Sequence, residues 1–162
     1  MILKKVISGG QDGADTAGLM AARHCNIETS GFIPIGCLTL SGPNVDRAKQ
    51  YNLIEFGDYK ERTFKNVNES DATIRFASDW NSSGEKCTLK AIKLCNKPYL
   101  DIPIRNFSSI ADLEFERVCT WLNENHVETL NIAGNAPDKS ANITVFVYSY
   151  LTKLFTMFDM LV

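Results

Sequence analysis

The stretch Val6-Ile7-Ser8-Gly9-Gly10-Gln11-Asp12-Gly13-Ala14-Asp15 decides how the rest of the chain is read. An apolar run from Ile2 to Ile7 stops at two glycines, a third glycine follows, and Ala17, Leu19, Met20, Ala21 and Ala22 then recur at helical spacing. That order predicts a strand over Leu3–Ser8, a tight turn, and a helix from about Asp15 to Cys25. The N–H groups of such a turn and the positive end of the helix dipole form a seat for an anion. Glycines also end strands for packing reasons alone. The turn is not a Walker A loop, since no Gly-Lys-Ser/Thr follows, nor is it the dinucleotide fingerprint.

Outward from this unit, strands and helices alternate. Asn26 to Gly31 reads as a turn, and Phe32–Gly36 as a short or edge strand, because Pro34 has no N–H for a ladder. Leu40–Asn44 has loop composition, and Val45–Tyr51 is a short helix. Phe64 and Val67 place a helix over Tyr59–Val67. A strand over Ala72–Ala77 leads through a polar loop to a helix over Glu85–Cys95, with Leu89, Ile92 and Leu94 for burial. Pro98–Ile102 is a strand. Ser108 or Ser109 caps a helix running to about Asn125, Ser109 and Asp112 resembling a capping box. Thr129–Ala133 is the last strand, ending at Gly134, and a helix closes the chain. Alternation of this kind predicts one α/β domain over residues 1–162, with a mainly parallel sheet and helices on both faces.

Three strand-to-helix junctions share one chemistry: Gly9–Gly13, Ser82-Ser83-Gly84 before Glu85, and Gly134-Asn135-Ala136-Pro137 before the last helix. In a parallel sheet all three fall on the C-terminal strand edge, where ligands sit. Three helix N-termini facing one volume would polarise it for an anion.

The totals exclude several classes. A net charge of −2 without a dense Lys/Arg cluster argues against nucleic acid as partner. The apolar N-terminal run is too short for a signal peptide. The run Ile143–Val162 carries Lys153 and Asp159, which favours a packed helix over a membrane span. Five cysteines, an odd number with no C-x-x-C pair, read as reduced thiols of a cytoplasmic protein, not a disulfide framework or zinc site. No metal site is expected. The last helix has one apolar stripe through Phe146, Val147, Tyr150, Leu151, Leu154, Phe158 and Leu161, and a second at Val145, Tyr148 and Phe155. One stripe suits the core; the second suggests a homodimer or higher homo-oligomer, or a helix buried on most sides.

The motifs together resemble a known family. Gly9-Gly10-Gln11-x-Gly13-Ala14-Asp15 looks like the opening of the molybdenum carrier proteins, YpsA-related members of the superfamily (SLOG) that includes DprA and LOG-type proteins. The likeness continues through Gly31-Phe32-x-Pro34-x-Gly36, Tyr51-x-Leu53, Tyr59-x-x-Arg62-Thr63-x-x-Asn66-Val67-x-x-Ser70-Asp71-Ala72-Thr73, Gly84-x-x-x-Thr88 and Leu130-Asn131-Ile132-Ala133-Gly134. It implies a single Rossmann-like three-layer domain, often dimeric, with a pocket for a nucleotide-like or anionic ligand. It also implies molybdate or molybdenum cofactor as a cargo. LOG-type relatives cleave nucleoside monophosphates with a Pro-Gly-Gly-x-Gly-Thr-x-x-Glu motif, whose Glu position is Thr88 here. Ile35, Cys37 and Leu38 are neutral where relatives carry basic residues.

On this reading the ligand meets Gly9, Gly10, Gln11, Gly13, Asp15, Arg62, Thr63, Asn66, Ser83, Gly84, Thr88, Gly134 and Asn135, and hydrolysis at a glycosidic or phosphate centre, if the protein is an enzyme, would use Asp15 or Glu85. Each residue has a structural alternative. Asp15 opposes the helix dipole, Arg62 pairs with Glu61 or Asp58, and Asn66 and Asp71 cap or start elements. Glu85 at a helix start would repel a phosphate or act as a base on a sugar. Trp80 could stack on a base or fill a core or lid, and His24 suits the end of its helix.

Overall fold

The computed structural model describes residues 3–161, so Ile2 of the first apolar run and Val162 of the C-terminal run lie outside the described residues. Six parallel strands form one sheet in the order β5-β2-β1-β8-β6-β7. They are β1 (Lys5–Ile7), β2 (Glu28–Ile33), β5 (Leu53–Glu55), β6 (Ala72–Ala77), β7 (Tyr99–Pro103) and β8 (Thr129–Gly134). A two-stranded hairpin, β3 (Leu38–Thr39) with β4 (Gly42–Pro43), stands apart from it. The helices are α1 (Ala14–His24), α2 (Val45–Tyr51), α3 (Tyr59–Glu69), α4 (Ser83–Cys95), α5 (Asp112–Glu124) and α6 (Ile143–Leu161).

Strand β8, the last in sequence, is inserted between β1 and β6, pairing Val6 with Leu130 and Ile74 with Ile132. If β8 preceded β1, the strands β8, β1, β2 and β5 would be consecutive neighbours running to one edge, with β6 and β7 running to the other.

Helices α1, α5 and α6 cover one face over a continuous apolar core that includes Val6, Ile74, Phe76, Phe115, Leu130, Ile132 and Tyr150. Phe76 and Tyr150 meet edge to face at 5.4 Å. Helices α3 and α4 cover the other face, where the apolar cluster is small: Val67, Ala91 and Ile92. No helix among the described residues is long and apolar enough to cross a membrane.

Several local expectations need correction. The second strand is not at Phe32–Gly36 but at Glu28–Ile33, and it lies inside the sheet, paired on both sides. Pro34 marks its end. The turn before it shrinks to the residues around Asn26, which takes the left-handed conformation at φ 58°. Leu40–Asn44 forms most of the β3–β4 hairpin, and edge strand β5 had no strand prediction. The Ser109–Asp112 capping box is absent: Ser109 Oγ donates to the Asn106 carbonyl within a 3₁₀ turn at Phe107–Ser109, and α5 starts after Ala111 without a side-chain cap. Leu94, predicted for burial, is exposed. Of the two stripes on α6, the first is buried except for Leu161, Phe155 is buried with it, and Val145 is exposed.

Candidate functional site

A cavity of about 280 Å³ opens at the C-terminal ends of β1, β8 and β6. Gln11 and Asp15 line it from the first junction, Ser83, Gly84, Glu85 and Thr88 from α4, and Gly134 and Asn135 from the end of β8. Arg62 and Thr63 reach it from α3, with Tyr59 beside them and Leu40 from the hairpin at its edge. These are the predicted site residues that the fold brings together. Gly9, Gly10, Gly13 and Asn66 do not line the cavity.

The glycine turn is already filled by the protein itself. Gly10 N–H donates to Ser8 Oγ at 3.2 Å, Gln11 N–H to Asp15 Oδ2 at 3.3 Å, and Ala14 N–H to the Asn135 carbonyl at 3.2 Å. The Asp15 carboxylate therefore takes donors that sequence reasoning reserved for a phosphate. Gly10 (φ 68°) and Gly13 (φ 92°) are required by the backbone, and a Cβ at Gly10 would strike Leu53. At Gly9 a Cβ would overlap the end of the Arg62 side chain, so a larger residue there would push the guanidinium aside. Arg62 Nη1 lies 3.6 Å from Asp15 Oδ2. Burial pushes the Asp15 carboxyl up, against the opposing pull of Arg62 and of the Gln11 and Gly9 N–H groups. The alternative partners of Arg62 are engaged with each other, because Asp58 and Glu61 form the capping box of α3.

At the second junction the helix end is open. Ser82 caps α4 by accepting from Glu85 N–H, and among the described residues the N–H groups of Ser83 and Gly84 meet no acceptor. A Cβ at Gly84 would meet nothing within 4 Å. Glu85 is 3% exposed. Its Oε2 accepts from Asn135 Nδ2 at 3.0 Å, while its Oε1 has no partner. Burial pushes its carboxyl up to about 7, with Arg75 and the Asn135 hydrogen bond pulling the other way. Arg62 Nε is likewise buried without a partner.

The third junction is not a helix N-terminus. Ile143 opens α6, so nine positions separate its start from Gly134. Asn135 acts instead as a clamp: its Oδ1 accepts from Ser78 and Asp79 N–H at 2.9 Å each, and its Nδ2 donates to the Asp79 carbonyl as well as to Glu85. It joins the β6 and β8 loops.

Other candidates lie elsewhere. Asn66 pairs through both side-chain atoms with the Phe32 backbone, docking α3 on β2. Asp71 accepts from Glu128 and Thr129 N–H at the opposite edge of the sheet. Trp80 packs over the Arg75 guanidinium at 5.0 Å, and His24 meets the Tyr148 hydroxyl. No cluster of metal-ligating residues occurs among the described residues.

Two features escaped the sequence reading. Arg75, buried inside β6, forks onto Asp101 at 2.8 and 2.7 Å and donates to the Glu85 carbonyl at 3.0 Å, pinning the first turn of α4. An arginine inside the apolar run Ala72–Ala77 was the available signal. The second is a strap: Asp12 accepts from Ser41 and from Arg47, and Gln11 Nε2 donates to the Leu38 carbonyl, which ties the hairpin over the glycine turn. Burial works against the Asp12 carboxylate, but the Ser41 and Arg47 contacts outweigh it and hold the group below its usual range.

A parallel sheet wrapped on both faces, with a polar cavity where three loops meet at its C-terminal edge, defines a Rossmann-like α/β protein. Residues 6–155 match the model of the circularly permutated YpsA SLOG family, and the chain belongs to that family. A crystal structure of a "Putative molybdenum carrier protein" from Syntrophus aciditrophicus SB is similar at 32% identity and a TM-score of 0.78, covering 95% of this chain and 94% of that one. A search of curated proteins returned no match.

Proposed function

We propose that the cavity binds a phosphate-bearing organic ligand of nucleotide type, with its anionic end on the first turn of α4 and against Arg62. The observation that carries this reading is that residues lining one cavity hold unpartnered polar groups: Arg62 Nε and Glu85 Oε1, both buried, and the N–H groups of Ser83 and Gly84 at the exposed helix end. Each buried group without a partner costs about 1–3 kcal/mol, which a matching ligand restores. The open space at Gly84 lets anionic oxygens approach the backbone. Asp15, which lines the same cavity, would be the acceptor for a sugar hydroxyl in this reading. In any hydrolysis at a glycosidic or phosphate centre, Glu85 is the carboxyl suited to exchanging a proton near neutral pH.

A second reading, carriage of molybdate or molybdenum cofactor, is favoured by the name of the Syntrophus relative. The same donors suit its oxygens. The carboxylates of Asp12, Asp15, Glu85 and Asp138 share the lining with Arg62 and Lys139, so any anion there is held more tightly when part of that negative charge is neutralised. Association of copies through the exposed flank of α6 is also proposed, along an apolar groove that includes Tyr148, Met157, Met160 and Leu161; sedimentation velocity tests it.

Freshly purified protein is denatured and the released material analysed by mass spectrometry and for molybdenum. Thermal shift is then measured with 5′-AMP and with molybdate, for the wild type and for Gly9→Ala, which displaces Arg62. The expected result is a rise in Tm with 5′-AMP that the variant lacks, amounting to about 2.7 kcal/mol at a hundred times Kd. A rise with molybdate alone, or released molybdenum, replaces this reading with the carrier reading.

A further inference from the structure

We infer that an anion settling on the first turn of α4 is bound together with one proton, carried on Oε1 of Glu85. The inference rests on the reading of the cavity as an anion site and adds to it a dependence on pH. Ser83, Gly84 and Glu85 are the first three residues of α4, so the Glu85 carboxyl shares the helix end with the free N–H groups. An ionised carboxylate there opposes the anion those groups attract. A protonated one removes the repulsion and supplies a donor.

The hydrogen bonds decide which oxygen carries the proton. Asn135 Nδ2 donates to Oε2, so that oxygen acts as an acceptor. Oε1 is buried and has no partner, which leaves it free to bear hydrogen. Glu85 is buried to 3% exposure, so its ionised form is poorly solvated even before an anion arrives. The charged groups around it come from every neighbouring element. Arg75 of β6 favours ionisation, whereas Asp101 of β7 and Asp15 of α1 oppose it. Arg62 of α3 lines the same cavity, but Asp15 already engages it. An added anion tips this balance further toward the acid. The proton comes from solvent, bonds to Oε1, and is shared with an oxygen of the anion; it returns to solvent on release.

A phosphate monoester titrates near pH 6 itself, so the probe is inorganic sulfate, whose charge stays fixed across the neutral range. Its Kd is measured by chemical-shift titration at a series of pH values spanning 7. The expected result is a Kd that rises up to about tenfold per pH unit on the alkaline side. Glu85→Gln keeps an acceptor for Asn135 and places a donor amide at the Oε1 position. It is expected to bind sulfate at least about tenfold more tightly than the wild type one unit above the titration, with the slope gone. A wild-type Kd that is flat or falls with pH, or no sulfate binding at any pH, overturns the proton linkage. So does a slope that persists in Glu85→Gln. The reading of the cavity itself falls only if 5′-AMP also leaves Tm unchanged.

Discussion

On the side of the sheet facing α1, α5 and α6, the strands present Val6, Ile74, Phe76, Leu130 and Ile132 to a continuous apolar core. On the side facing α3 and α4, the alternate positions of the same strands are Thr73, Arg75 and Asn131, and Asn131 Nδ2 donates to Thr73 Oγ1. Period-two alternation separates two tasks within one strand. One face supplies hydrophobic burial. The other holds polar groups that must find partners one by one, and at its upper edge Glu85 and Arg62 are left with unpaired atoms. The polar network fixes where α4 begins, and the beginning of α4 is the candidate anion site.

If this division is right, substitutions on the two faces separate stability from binding. Phe76→Ala, on the apolar face, is expected to cost about 3–5 kcal/mol in denaturant unfolding. Arg75→Met should cost about 2–4 kcal/mol, because it strips the Glu85 carbonyl of its buried donor and frees Asp101. Unlike Phe76→Ala, it should weaken 5′-AMP binding even where the protein remains folded, as read by titration. Equal losses of binding at equal stability would erase the distinction between the faces.

Glu85 gives a pH test with a definite sign. Its carboxyl is raised from 4.5 to about 7 in the fold, so the folded state holds more protons than the unfolded state between those values. Its contribution to stability is full below the unfolded value and is lost as pH rises through the folded one. Glu85→Gln should therefore raise Tm on the alkaline side, by the equivalent of about 1–3 kcal/mol, and leave it nearly unchanged in mild acid. The smallest effect belongs to Gly84→Ala, expected to stabilise the empty protein by about 0.5–1 kcal/mol through helix propensity. The same methyl group should obstruct the anion and lower the affinity for 5′-AMP. Unchanged affinity would move the anion away from the Ser83–Gly84 turn.

The layered sheet was legible because the apolar runs Ala72–Ala77 and Thr129–Ala133 alternate with helical spacing and glycine punctuation. Strand β2 was misplaced because Glu28-Thr29-Ser30-Gly31 looks like a turn, and only pairing to β1 and β5 makes it a strand. Edge strand β5 gains its order from β2 and leaves little local trace. At the site, the cavity's position followed from the glycines, but its chemistry did not. That Asp15 fills the glycine turn and that α6 starts far from Gly134 depend on distances between segments remote in sequence. Arg75 was visible as an oddity in an apolar strand, yet its link to Glu85 required the packing of α4 on β6.

The position of β8 also bears on how the molecule assembles. Until Thr129–Gly134 is available, β5-β2-β1 and β6-β7 are separate half-sheets, and β1 and β6 each expose an unpaired edge. The strand that joins them comes after both in the chain and must slot between two partners that precede it. Pairing of this kind has high contact order, which slows folding, and the waiting edges invite pairing with other chains. Because β8 follows its sheet neighbours β1 and β6 in the chain, the middle of the sheet closes only once it is available, and a nascent chain that stalls before β8 is exposed to association at both edges.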